Sequence, residues 1–218
     1  MDEMFFIFDL DDTLYSESQY SFSALAFVAG EIENLFGFSN VRNELVASFE
    51  KGSRDAIGEF WKSRALPLDG LHPLLLRMQS HEPDISLYPD VQEFLGEISR
   101  RGLPFAIVTD GRSCTQRAKI KQLALGEAVA ICISEETGAT KPDARAFEPI
   151  MSMVTNKPVV FVGDNPTKDF LFPNSQDWTT VMRRDDGTNI REQTLPENPD
   201  YHPMTVIDSF VELREQFL

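Results

Sequence analysis

Short, continuous apolar runs recur along this chain and are separated by segments with helical periodicity. Six such runs are predicted as strands, over 5–8, 103–109, 128–134, 158–164, 179–184 and 205–210. Unbroken apolarity, without alternation, is typical of strands that are covered on both faces. Between the strands apolar residues recur at helical spacing, and Pro142 with Asp143 is predicted to start a helix over 144–154. This alternation predicts an α/β fold with a Rossmann-like, doubly wound parallel sheet.

One connection is far longer than the others. From about Tyr15 to about Leu87 no strand pattern occurs, whereas a strand-to-helix connection in such folds takes about 2–6 residues. The segment carries amphipathic helical stripes instead, for example Leu25, Val28 and Ile32. We therefore expect an all-helical insert over 15–86 and a core domain formed by 1–14 and 87–218. Such an insert would stand over the strand ends as a lid, or else be an appendage that only stabilises the fold.

The charge of the 218-residue chain limits its possible partners. The net charge of −15 at pH 7 disfavours binding to nucleic acid or to an anionic membrane surface, and an anionic substrate would need local positive charge. Cys114 and Cys132 form neither a metal-binding spacing nor a disulfide framework, as expected in a reducing cytosol. No signal-peptide pattern is visible, and no apolar run approaches the roughly 20 residues of a membrane span. We expect a cytoplasmic protein.

Acidic residues collect after two of the predicted strands. Asp9, Asp11 and Asp12 follow the first strand within FFIFDLDDTL, and Asp164 and Asp169 follow the run at 158–164. Like charges repel, so a bound divalent cation is the simplest reason to gather them. An EF-hand calcium loop would need Gly at its sixth position and Glu at its twelfth, where this chain has Leu and Tyr. Mg²⁺ takes one or two carboxylates with waters and a substrate phosphate, and one Mg²⁺ between two strand ends would explain both clusters.

Four short motifs, in order, resemble those of the haloacid dehalogenase superfamily, which consists mostly of magnesium-dependent phosphatases acting through an aspartyl-phosphate. They are Asp9-Leu10-Asp11-Asp12-Thr13, Thr109-Asp110-Gly111, Lys141-Pro142-Asp143, and Gly163-Asp164 with Asp169. The helical insert between the first two motifs resembles the cap of the family's first class. The resemblance spans nearly the whole chain. It implies a Mg²⁺-dependent phosphatase that hydrolyses a small phosphorylated metabolite, such as a sugar phosphate or a nucleotide.

The resemblance also implies how the acidic residues would act. Asp9 would attack phosphorus and become phosphorylated. Asp11 would protonate the leaving oxygen and then deprotonate water, for which its pKa must be raised above the ordinary value of about 3.9. Mg²⁺ would be held by Asp9, the backbone carbonyl of Asp11 and Asp164. Asp169 would be an occasional ligand that orients Lys141, and Lys141 would supply positive charge.

The second motif is expected to bind the phosphoryl oxygens. By the resemblance, Thr109 would donate its hydroxyl, and Gly111 or Asp110 a backbone N–H, while Lys141 binds the same group. The family usually has Asn at the position of Asp110, so the role of this side chain is open. Arg112 could neutralise Asp110 or reach the leaving group of the substrate.

Other hypotheses are compatible with the fold. A dehalogenase is disfavoured, because that reaction protonates no leaving oxygen and its enzymes lack the second acid, here Asp11. A phosphomutase would share the motifs, and a phosphoryl-sensing scaffold protein would carry them as a vestigial site. The sequence fixes neither the substrate nor the oligomeric state, a monomer or a homodimer. Candidates for specificity in the insert are Lys51, Arg54, Phe60, Trp61, Lys62 and Arg64.

Overall fold

The six apolar runs form a single parallel sheet in a computed structural model, which describes residues 4–218. The strands are β1 (Phe5–Phe8), β2 (Phe105–Thr109), β3 (Ala130–Ile133), β4 (Val159–Gly163), β5 (Thr179–Arg183) and β6 (Thr205–Ile207). Their order is β3-β2-β1-β4-β5-β6, and every neighbouring pair is parallel. The predicted α/β sheet is confirmed. The strands are one to three residues shorter than predicted, except β1, because the flanking apolar residues belong to turns.

The register of the sheet brings the polar ends of the strands together. β1 lies between β2 and β4, and Phe8 pairs with Ile107 on one side and Val162 on the other. The Asp9 N–H donates to the Val162 carbonyl at 2.9 Å. Strand order reverses direction at β1, which is the position where ligands bind in open parallel sheets. The residues that follow these strands therefore lie at one edge of the sheet.

Both faces of the sheet are covered by apolar side chains. Because successive side chains of a strand point to opposite faces, Phe5 and Ile7 enter one buried cluster. Phe6 and Phe8 meet Phe94 edge-on across the other face, with centroid distances of 5.3 and 6.2 Å. This two-sided burial explains the unbroken apolar pattern of β1.

The helices of the sheet unit are mostly short. They are α5 (Pro89–Arg100), α6 (Ser113–Gln122), α7 (Ser134–Thr137), α8 (Glu148–Met151), α9 (Leu171–Ser175) and α10 (Phe210–Phe217). The helix predicted over 144–154 is wrong in its extent. A 3₁₀ turn, Ala144–Phe147, precedes α8, and the Asp143 side chain caps this turn by accepting the Arg145 N–H at 2.9 Å.

A separate helical unit comprises Gln19–Ile85, while the chain up to Ser18 and Ser86–Leu218 form the sheet unit. Its helices are α1 (Glu17–Phe36), which begins just before the unit boundary, α2 (Val41–Glu50), α3 (Ala56–Ser63) and α4 (Leu68–Gln79). No helix within residues 4–218 combines the length and the apolarity that crossing a membrane requires.

The aromatic residues of α3 form the core of the helical unit. Phe60 and Trp61 are buried with Leu25, Val28 and Leu74. The Trp61 ring is 1% exposed, and its Nε1–H donates to the Pro67 carbonyl at 3.0 Å. The hypothesis that Phe60 and Trp61 contact a substrate therefore does not agree with the structure, because both rings are used in packing.

We expect Trp61→Ala to destabilise the helical unit by about 3–5 kcal/mol, since it leaves a cavity and removes the hydrogen bond to Pro67. Urea denaturation followed by far-UV circular dichroism would measure the loss. Leu68→Ala is the control, because Leu68 lies on α4 of the same unit and is 76% exposed, and it should change stability by at most about 0.5 kcal/mol. Equal stability of Trp61→Ala and the wild type would contradict the assigned core.

Candidate active site

A buried lysine joins the ends of the first and fourth strands. Lys141 Nζ lies 2.5 Å from Asp9 Oδ1 and 2.7 Å from Asp169 Oδ1. All three residues are buried, with exposures of 4%, 7% and 0%. Burial would lower the pKa of Lys141, but the charges of Asp169 and Asp9 outweigh it and raise this pKa. Lys141 is therefore a permanent cation between two carboxylates.

Three carboxylates face one point at this edge of the sheet. Asp9, Asp164 and Asp169 each offer an oxygen, and these oxygens all lie within 4.8 Å of one another. Burial raises the pKa of Asp9 to about 7, against the opposing charge of Lys141. Burial, followed by the charges of Asp169 and Asp9, raises the pKa of Asp164 well above its ordinary value. Hard oxygen donors that repel one another fit a divalent cation such as Mg²⁺.

Gly163 allows Asp169 to reach this cluster. A Cβ atom at Gly163 would lie 2.5 Å from Asp169 Oδ2, which is too close for any side chain. That oxygen accepts the N–H groups of Asp164 at 3.1 Å and Asn165 at 2.8 Å. The glycine of the fourth motif is thus explained by the close approach of a carboxylate.

The Asp11 side chain is held by a separate group of residues. Lys119 Nζ lies 2.7 Å from Asp11 Oδ1, the Gln116 amide donates to Oδ2 at 2.9 Å, and the Tyr15 hydroxyl also donates to Asp11. Burial alone would raise the pKa of Asp11, but the Lys119 charge and these hydrogen bonds outweigh it and lower this pKa. The expectation of a raised pKa is wrong for this arrangement, because the sequence did not reveal the lysine.

The second motif is only partly in the cleft. Thr109 and Asp110 line it, and the Thr109 hydroxyl accepts a hydrogen bond from Gln116 at 2.7 Å. Asp110 accepts the Lys141 N–H at 3.1 Å and pairs with Lys168 at 2.6 Å, so Lys168, not Arg112, neutralises it.

Two predicted phosphate-binding residues are placed differently from the expectation. The Gly111 N–H donates to Ser134 Oγ at 2.9 Å and is therefore already engaged. Arg112 is exposed and immediately precedes α6. Among the described residues that line the cleft, neither Gly111 nor Arg112 occurs. Substrate contacts by these two residues are not supported.

Several residues of the site were not predicted. The cleft, about 80 Å³ in volume, is also lined by Glu17, Asn165, Lys168 and Arg191. Burial raises the pKa of Glu17 to about 7, with a further increase from Asp11. Gln116 and Lys119 lie three positions apart on α6, directly after the second motif, and this spacing was the one signal available for them.

The structure thus has a parallel sheet with a carboxylate cluster and a buried lysine at its switch point, which is where the active sites of α/β proteins lie. The model of the haloacid dehalogenase-like hydrolases matches residues 4–173, which is most of the chain. This protein therefore belongs to the haloacid dehalogenase-like hydrolase family.

Three relatives of this chain carry phosphatase names. A phosphoserine phosphatase of Thermus thermophilus is 40% identical over 86 residues, covering 38% of this chain and 34% of that protein. A ribulose-1,5-bisphosphate 5-phosphatase of Halopiger xanaduensis is 28% identical over 60% of this chain and 57% of its own length. The chain thus spans about a third and just over half of these two relatives. A glyceraldehyde 3-phosphate phosphatase of Methanopyrus kandleri is 25% identical over 95% of this chain and 97% of its own.

Solved structures share the fold at lower identity. The hydrolase YfnB of Bacillus subtilis, solved with magnesium bound, superposes with a TM-score of 0.68 at 19% identity and covers 99% of both chains. An L-2-haloacid dehalogenase superposes with a TM-score of 0.62 at 14% identity and covers 98% of both chains. Proteins with this fold therefore catalyse different reactions. The reaction has to be inferred from the residues of the active site and not from the fold.

Without a divalent cation, we expect this protein to become less stable as the pH rises from about 4 to about 7. The folded-state pKa of Asp9 is about 7 and its ordinary value is 3.8. Between these values the unfolded chain has released the proton that the folded chain still binds, so folding loses free energy as the pH rises. The pKa values of Asp12, Glu17 and Asp164 are raised as well and act in the same direction.

Asp9→Asn should reduce this dependence, because an amide does not titrate and the raised pKa of Asp9 is lost, while Lys141 keeps Asp169 as its partner. Thermal melts in chelator at about pH 5 and about pH 8 would measure it. A wild-type protein that gains stability over this range, or a variant with an unchanged slope, would contradict the assigned environment of Asp9.

Proposed function

We propose that this protein is a Mg²⁺-dependent phosphatase that hydrolyses a small phosphorylated metabolite through an aspartyl-phosphate at Asp9. The observation that carries this proposal is the placement of Asp9 and Asp11. Asp9 lies against Lys141 and the carboxylate cluster, while Asp11, two residues on, lies against Lys119. A nucleophile and a separate acid–base group are what two-step phosphoryl transfer through a carboxylate needs.

The first step is attack of the Asp9 carboxylate on phosphorus. Lys141 holds one oxygen of Asp9 and fixes the direction of the carboxylate, which supports in-line attack. Asp9, the Asp11 carbonyl, Asp164 and Asp169 would hold Mg²⁺. When bound, Mg²⁺ would neutralise the charge of the phosphoryl group and of the carboxylates around it. Thr109, at the neighbouring strand end, would donate its hydroxyl to a phosphoryl oxygen.

Asp11 would act as acid and then as base. The lowered pKa of Asp11 suits the second step, in which the ionised carboxylate deprotonates the water that hydrolyses the aspartyl-phosphate. In the first step the substrate phosphate adds negative charge beside Asp11, and a neighbouring anion raises the pKa of a carboxyl group. The same residue can therefore take up a proton when substrate is bound. A dehalogenase has no leaving oxygen to protonate and does not need this group.

The proposal also covers the helical insert and the size of the substrate. We assign the helical unit, predicted over 15–86 and found as Gln19–Ile85, as a cap that excludes water from the aspartyl-phosphate. The sheet unit, which includes Tyr15 and Glu17, is then the catalytic core. Support comes from the length of the insert and from the names of the relatives, which refer to small phosphorylated compounds. The oligomeric state and the cytoplasmic location stay predictions from the sequence.

We expect release of inorganic phosphate from an aryl phosphate to stop in chelator and to return on addition of Mg²⁺. The reason is that the three clustered carboxylates repel a phosphate dianion unless a cation lies between them. Phosphate detection together with product analysis separates hydrolysis from isomer formation by a mutase. Full activity in chelator would contradict the assigned metal requirement. Formation of an isomer without release of inorganic phosphate would favour a phosphomutase.

Asp9→Asn should lower turnover by about 10³-fold or more, because the amide cannot attack phosphorus. The change is nearly isosteric, so circular dichroism should show a folded variant. Asp200→Asn is the matched control, since Asp200 is exposed and outside the cleft, and its activity should equal that of the wild type. Comparable activity of the two variants would show that another group attacks phosphorus.

A further inference from the structure

The segment between β5 and β6 is attached directly to the carboxylate cluster. The Asn189 side chain donates to Asp164 Oδ2 at 3.2 Å, and the Ile190 N–H donates to Asp12 Oδ2 at 3.2 Å. Gln193 closes the segment, because its amide donates to the Asp164 carbonyl at 2.9 Å. Arg191 lies between these anchors and lines the cleft. The anchoring hydrogen bonds therefore fix the backbone that carries Arg191 beside the reacting groups.

Of the three cations that line the cleft, Arg191 is the one that forms no ion pair with a residue that the structure describes. Lys141 is paired with Asp9 and Asp169, and Lys168 is paired with Asp110. Within residues 4–218, no carboxylate is found within ion-pair distance of Arg191. Burial raises the pKa of Glu17, and the charge of Arg191 offsets only a small part of this rise. The guanidinium is exposed, so a ligand can reach it.

We infer that Arg191 binds a second anionic group of the substrate, a carboxylate or a phosphate, on the part of the molecule that does not react. This inference rests on the proposed phosphatase function. The cleft is lined mainly by acidic side chains, which would repel a second anion. A guanidinium offers two parallel N–H donors that match either a carboxylate or a phosphate. In this arrangement the sheet unit contributes to specificity for the leaving group, through the β5–β6 segment that also donates a hydrogen bond to Asp164.

The test compares kcat/KM for three kinds of substrate with Mg²⁺ present. Phosphoglycerate carries a carboxylate, fructose 1,6-bisphosphate carries a second phosphate, and glycerol phosphate carries only hydroxyl groups. In Arg191→Ala, the ratio of kcat/KM for an anionic substrate to that for glycerol phosphate should fall roughly 10- to 100-fold, the range for a lost charge-assisted contact. The change should lie mainly in KM, and Arg191→Lys should restore part of it. If kcat/KM falls for only one of the two anionic substrates, that substrate shows whether Arg191 binds a carboxylate or a phosphate.

Arg184→Ala is the matched control. Arg184 lies in the same connection, but its guanidinium pairs with Asp208 at 2.7 Å and does not line the cleft, so its substrate ratios should equal those of the wild type. An Arg191→Ala variant with wild-type ratios, or with equal losses on all three substrates, would overturn the inference while leaving the phosphatase function intact. A wild-type protein that releases phosphate from no substrate, including aryl phosphate, would overturn both.

Discussion

The repulsion between buried carboxylates at the end of β1 is the constraint on which the rest of the site depends. Asp9, Asp164 and Asp169 come within 4.8 Å of one another with little access to water. One buried lysine, Lys141, offsets part of this repulsion, but burial, with a contribution from the neighbouring carboxylates, still raises the pKa values of Asp9 and Asp164. A site that remains unfavourable for its own acids is well suited to bind a cation, because the cation relieves the repulsion.

The sheet makes this arrangement possible. The aromatic and aliphatic side chains of β1 pack on both faces of the sheet, so apolar contacts hold the strand in place. The parallel register then brings the end of β4 beside the end of β1. Because Gly163 has no side chain, Asp169 can approach the end of β4 closely. Packing energy at the centre of the sheet is thus used to hold charged groups close together at its edge.

The parts of this protein that follow from local patterns could be predicted from the sequence, and the parts that depend on docking could not. Continuous apolar runs predicted the strands, and the motifs pointed to Asp9, Lys141 and Asp164. Lys119 looked like an ordinary helix residue, because only the docking of α6 shows that it faces Asp11. Arg191 lies in a segment without periodicity. The sequence around Trp61 was compatible with a core position and with a binding surface, and only the packing in the structure shows that Trp61 belongs to the core.

Asp9 and Asp11 show how neighbours, and not residue type, assign chemical roles. Both are buried aspartates two positions apart, yet the pKa of one is raised and that of the other is lowered. The difference arises because Asp9 shares its lysine with Asp169, whereas Asp11 is paired with Lys119 and also accepts hydrogen bonds from Tyr15 and Gln116. Pairs of titratable groups whose environments separate their pKa values are typical of acid–base sites. A cation beside Asp9 would favour its ionised form, which is the form that the proposed attack on phosphorus needs, whereas the pKa of Asp11 would still be set by Lys119 and Gln116 of α6.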